Sequence, residues 1–182
     1  MLNRKLLPAM TTAALVALGG FSSQVFAADA ATSASVDIVT PISITTVTDI
    51  DFGVVIPDPA AVGTILLPSN TGTAAASGGT TQHQAGTEVR GRFTISGTAN
   101  QAYSITDPGT INLGATNLDA TSWTATNDNG DCSNDPVTTC TTTPTLDGSG
   151  ADGLYIGASL NVPIGIAEGQ YSANFNLTVE YQ

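Results

Sequence analysis

Gly169-Gln170-Tyr171-Ser172-Ala173-Asn174-Phe175-Asn176-Leu177-Thr178-Val179-Glu180-Tyr181-Gln182 places apolar side chains at 171, 173, 175, 177, 179 and 181 with polar ones between them. A period of two sends every second side chain to one face, so the stretch reads as a long final β-strand buried on one side. A strand of that length pairs on both edges or presents a row of unpaired N–H and C=O groups to any passing chain. What fills that edge is the functional question.

The same alternation recurs upstream. Leu154, Ile156, Ala158, Leu160 and Val162 share one face up to Pro163, and residues 165–169 turn into the final strand. Over residues 89–96, Val89, Phe93 and Ile95 face one way and Arg90, Arg92 and Thr94 the other. Shorter strands are expected at 49–55, 62–67, 102–106, 111–113 and 122–126, punctuated by turns such as Asp107-Pro108-Gly109. Residues 69–86 are rich in Gly, Ser, Thr and Ala and read as a loop. Val36, Ile38, Thr40, Ile42 and Ile44 also share a parity, but Pro41 offers no N–H to a ladder and interrupts the run. The segment therefore divides into strands near 33–39 and 42–47, which belong to different sheets or to different molecules. No window beyond residue 27 shows a helical period, and short turn-bounded strands rich in Thr, Val and Ile predict an all-β sandwich.

Residues 1–27 carry Arg4 and Lys5, an apolar run broken by small residues, and Val25-Phe26-Ala27 before Ala28, the layout of a secretory signal peptide. The mature chain is expected to begin near Ala28, with residues 28–40 as an N-terminal extension and 41–182 as one domain, and without a second membrane-length apolar run. It would keep Arg90 and Arg92 as its only basic side chains against 15 acidic ones, with no lysine. Such a surface repels nucleic acid and anionic lipid, which speaks against both as partners.

Cys132 and Cys140 are the only cysteines, and in an exported chain the pair is expected to form a disulfide stapling a polar surface loop. His83, the only histidine, sits in the loosest stretch with no partner in sequence, and no Gly-x-Ser-x-Gly elbow occurs, so no catalytic residue, cofactor or enzyme activity is expected. Asn127-Asp128-Asn129-Gly130-Asp131 alternates oxygen ligands around a glycine but fails the EF-hand register, leaving open a weak calcium site near Asp128 and Asp131. Arg90 and Arg92 project from one strand face, to bind an anionic partner or to pair with acids of the same subunit.

Val39-Thr40-Pro41-Ile42-Ser43-Ile44 leading to Ile50-Asp51-Phe52-Gly53, together with the ending Gly169-Gln170-Tyr171 through Val179-Glu180-Tyr181, resembles the pilin subunits of chaperone–usher fimbriae. The likeness is to their archaic, spore-coat-U-like branch and to the related exported domain-of-unknown-function family 4402. Gly169, fourteenth from the end, and the penultimate Tyr181 match the C-terminal motif by which such subunits are recognised by their chaperone. Ile42 stands where many pilins carry a cysteine.

The resemblance implies an immunoglobulin-like, pilin-type sandwich that lacks its last strand. The groove beside the C-terminal strand, lined here by Tyr171, Phe175, Leu177, Val179 and Tyr181, is then filled by a periplasmic chaperone and afterwards by the extension of the next subunit. The donor would use Val36 and Ile38 as anchors, with Ile42 as a third. The implied protein is a non-enzymatic, self-assembling subunit of a surface fimbria, secreted through the periplasm and an outer-membrane usher and serving cell adhesion. Two alternatives stay open: the extension folds back on its own subunit, or the protein is a self-completed monomeric carbohydrate- or surface-binding module with its site around Trp123 and the disulfide loop.

Overall fold

A computed structural model describes residues 29–79 and 81–182; the expected signal peptide, residues 1–27, lies outside the described residues. The chain divides into a first unit ending at Val36 and a second, Asp37–Gln182, that holds every strand. In chain order these are β1 (Ser43–Thr48), β2 (Val54–Ile56), β3 (Gly63–Leu67), β4 (Ala75–Ser77), β5 (Gln82–Gln84), β6 (Gly91–Ser96), β7 (Tyr103–Thr106), β8 (Ile111–Asn112), β9 (Asp119–Asn127), β10 (Ser133–Pro136), β11 (Ala151–Val162) and β12 (Thr178–Tyr181). Every pairing is antiparallel, and no helix occurs among the described residues.

β11 is the spine. Asp152, Leu154, Ile156, Ala158, Leu160 and Val162 share a parity and are all buried, as period two requires of a strand with one face on the core. One edge pairs with β9; the other pairs first with β6 and then with β3, so Leu154 has both Phe93 and Asn127 as partners, and Leu160 both Ile65 and Ala120. The handover occurs at Gly157, where a Cβ would run into the Leu67 carbonyl oxygen. Glycine there admits the crossing backbone. β1 extends this sheet beyond β6, β4 beyond β3, and β8 and β10 beyond β9, giving eight strands.

β7 pairs with β12, and β2 with β5, as two small sheets. Tyr103, Ile105 and Val179 of the β7–β12 pair are buried in one cluster with Phe93, Ile95, Trp123, Leu154 and Ile156 of the large sheet, which makes the fold an all-β sandwich. Within β9 the inward parity shifts from Ala120 to Trp123 and Ala125. Ser122, at φ 51°, lies at the break, beside the register irregularity between Gly157 and Ser159 of β11. One extra residue here is a β-bulge, and pairing with β11 on both sides of it makes the strand longer than the expected 122–126.

Three expectations are corrected. The final strand is paired only over Thr178–Tyr181, because β7, its neighbour, is itself only four residues long. Residues 33–39, expected as a strand, form none. The stretch read as one loop over 69–86 contains β4 and β5.

Candidate functional site

The C-terminal stretch has most of the apolar face its sequence promises, Ala173 being exposed. Tyr171, Phe175 and Leu177 are half-buried and packed on the core, Val179 is buried, and the polar residues between them are exposed. Phe175 stacks against Trp123 with ring centroids 4.6 Å apart. Yet among the described residues no backbone–backbone hydrogen bond involves 170–177. β12 pairs only with β7 and β1 only with β6, and the two come alongside each other without a ladder between them. A sandwich seam bordered by two unpaired edges over a half-covered core can take up an added strand. Gly169 is exposed, and the nearest atoms to an added Cβ would be those of the Tyr171 ring.

The expected donor residues fall on two sides of a boundary. Val36 is 81% and Ile38 91% exposed, and among the described residues no hydrogen bond involves 29–39. Ile42, expected as a third anchor, packs instead on its own domain's core beside Ile44. Pro41 separates the two behaviours. At Thr40, just before it, the main-chain oxygen accepts the Tyr181 hydroxyl at 2.7 Å and the N–H donates to Thr98 Oγ1 at 2.8 Å.

Cys132 and Cys140 are bonded, with Cα atoms 4.8 Å apart. The loop they close is anchored by a buried polar network that sequence reading missed. Tyr103 Oη and Asn127 Nδ2 each donate to Asp152 Oδ2 at 2.7 Å, and Asn127 Oδ1 accepts the Cys132 N–H at 2.8 Å. Burial raises the Asp152 carboxyl above its ordinary value, against the bonds from Asn127 and Tyr103; burial and the adjacent Asp152 push the Tyr103 phenol up. The signal was present in sequence: Asp152 has the same parity as Leu154 and Ile156, so it had to be buried and partnered.

Contacts within the chain engage most of the other flagged residues. Asp131 Oδ2 accepts the Thr145 N–H and hydroxyl, so it fastens the loop, and among the described residues no group of three or more His, Cys, Asp or Glu is arranged to hold a metal. His83 is packed away with its Nε2 2.9 Å from the Phe52 carbonyl oxygen and 3.7 Å from Glu88. Bonds from its own N–H, with those of Ala74 and Gly86, hold the Glu88 carboxyl below its ordinary value despite burial. Arg90 donates to the Ser69 and Asn70 carbonyls and lies 3.9 Å over the Tyr155 ring, where a salt bridge was one expectation. Arg92 shares an open cleft of about 240 Å³ with Asp128 and Asp147. Trp123 is 2% exposed, its Nε1 donating to the Gly109 carbonyl.

Among the described residues no helix is long and apolar enough to cross a membrane. No curated protein and no solved structure matches the chain. The model of a family described as a domain of unknown function, DUF4402, matches residues 42–181, the whole span from the first core-packed isoleucine to the penultimate tyrosine. The chain belongs to the DUF4402 family.

Proposed function

We propose that the protein is a non-enzymatic structural subunit of a secreted surface filament, joined head-to-tail when residues 34–40 of one copy enter the unpaired C-terminal edge of the next. One observation carries this reading. Residues 170–177 present an apolar alternation with no main-chain partner among the described residues, in a chain whose 34–40 segment carries a second alternation with Val36 and Ile38 exposed. Each unpaired segment supplies what the other lacks. Burying each anchor contributes about 1.5–3 kcal/mol, an upper bound for an extended reference, and pairing satisfies N–H and C=O groups along the edge. A head-to-tail contact need not close on itself and so gives fibres.

The resemblance to chaperone–usher pilins adds a route, in which a chaperone strand holds the edge in the periplasm until an usher exchanges it for the next subunit's extension. The monomeric binding-module reading is less well supported, because it needs an exposed aromatic at Trp123 and that ring is inside the core. The deciding experiment compares exported intact protein with a form lacking residues 28–40 on an unheated denaturing gel. A heat-sensitive ladder in the intact sample, absent from the truncated one, is expected; a single monomer band from folded intact protein would overturn the reading.

A further inference from the structure

We infer that Tyr181, with Thr98, is a positioning residue for strand donation: it grips the root of a subunit's donor segment from the same strand that borders that subunit's acceptor edge. The inference rests on the donation reading above and names what governs it.

Thr40 is the last residue before Pro41, and its main chain is held by side chains instead of by a ladder. Its oxygen accepts the Tyr181 hydroxyl at 2.7 Å, its N–H donates to Thr98 Oγ1 at 2.8 Å, and the Thr98 N–H donates to the Tyr181 hydroxyl oxygen at 2.6 Å. Pro41 restricts Thr40 to extended backbone, so the two bonds on Thr40 fix the angle at which the chain leaves the domain. Tyr181 reaches this point because β12 pairs with β7, Tyr181 lying opposite Tyr103, and because Gly97 leaves room: a Cβ at Gly97 would strike the Tyr181 hydroxyl. Packing alone would be served by phenylalanine. The hydroxyl adds a bridge from the small sheet to the β6–β7 turn and to the donor root.

Two sites therefore share one element. β12 borders the acceptor edge and carries Tyr181, and Tyr181 fixes Thr40, so the strand that accepts a donor also aims its own subunit's extension.

The test uses the full mature chain, wild type beside Tyr181→Phe and Thr98→Val, with a synthetic peptide of residues 33–40 as the probe of the acceptor edge. Thr98→Val, outside the acceptor edge, is expected to bind the peptide as wild type does and to form multimers about tenfold more slowly, the scale of a lost hydrogen bond or two. Tyr181→Phe, which keeps the ring on the edge and deletes only the hydroxyl, should slow assembly to the same extent and keeps the proposal testable if one variant folds poorly. Multimers at the wild-type rate in both variants would overturn it. Parallel loss of peptide binding and assembly in Thr98→Val would also overturn it, by assigning the contact to the acceptor edge alone. If wild type itself neither binds peptide nor forms multimers, the donation reading fails and the inference falls with it.

Discussion

β11 has neighbours along both edges, whereas residues 170–181 alternate just as regularly and find a ladder only over Thr178–Tyr181. Both bury their apolar parity, β11 fully and the terminal stretch by half. Period two is a local property that reports which face meets the core. Edge pairing depends on which other strands the chain can bring alongside and how long they are, and no residue within the strand states that. A segment that satisfies the first condition and fails the second is a stable surface with an open row of hydrogen-bonding groups, and the proposed strand addition rests on that mismatch.

The largest expected effect breaks the comparison from the paired side. Ile156→Ala, in the middle of β11 and fully buried, should lower unfolding stability by about 2–5 kcal/mol in urea; a loss below about 1 kcal/mol would mean β11 is not the spine. Replacing Cys132 and Cys140 by serine should cost about 2–3 kcal/mol through the freed loop, read from the same curves under oxidising conditions. Phe175→Ala, on the unpaired side, should cost the monomer about 1 kcal/mol or less and yet sharply reduce the multimer ladder. Equal losses from Ile156→Ala and Phe175→Ala in monomer would erase the distinction between the two segments.

A pH effect sharpens the account of β11 further. Because burial raises the folded-state value of Asp152, its contribution is full below the ordinary value near 3.8 and falls as pH rises through the raised one. The stability of wild type relative to Asp152→Asn should therefore be greatest near pH 3.5 and shrink toward pH 7. Asp135 and Asp147, held low by main-chain bonds from Thr141 and Ala151, act in the opposite sense but are common to both proteins and cancel. A difference that grows with pH would mean Asp152 is not buried as described.

Much of the sandwich was readable from residue parity. Leu154 to Val162, Phe93 with Ile95, and Ile65 with Leu67 all face inward, whereas Val89, read on the same face as Phe93, is exposed because β6 begins only at Gly91. The bulge at Ser122 was not readable, because a one-residue insertion is set by the pairing of β9 with the irregular centre of β11 and not by β9 itself. At the candidate site, the apolar face of Tyr171, Phe175 and Leu177 followed from sequence, while its lack of a partner did not. The switch at Pro41 was anticipated as a break, but the assignment of Ile42 to its own core depends on β1 docking against β6. The grip of Tyr181 on Thr40 joins residues 141 positions apart, beyond any local pattern.

The most direct test of strand addition is amide hydrogen exchange, residue by residue, on monomer and on assembled protein. The account predicts that in monomer residues 170–177 exchange freely while β11 is protected, and that on assembly 170–177 and 34–40 become protected together. Residues 170–177 as slow as β11 in monomer, or still fast in the assembled form, would contradict it.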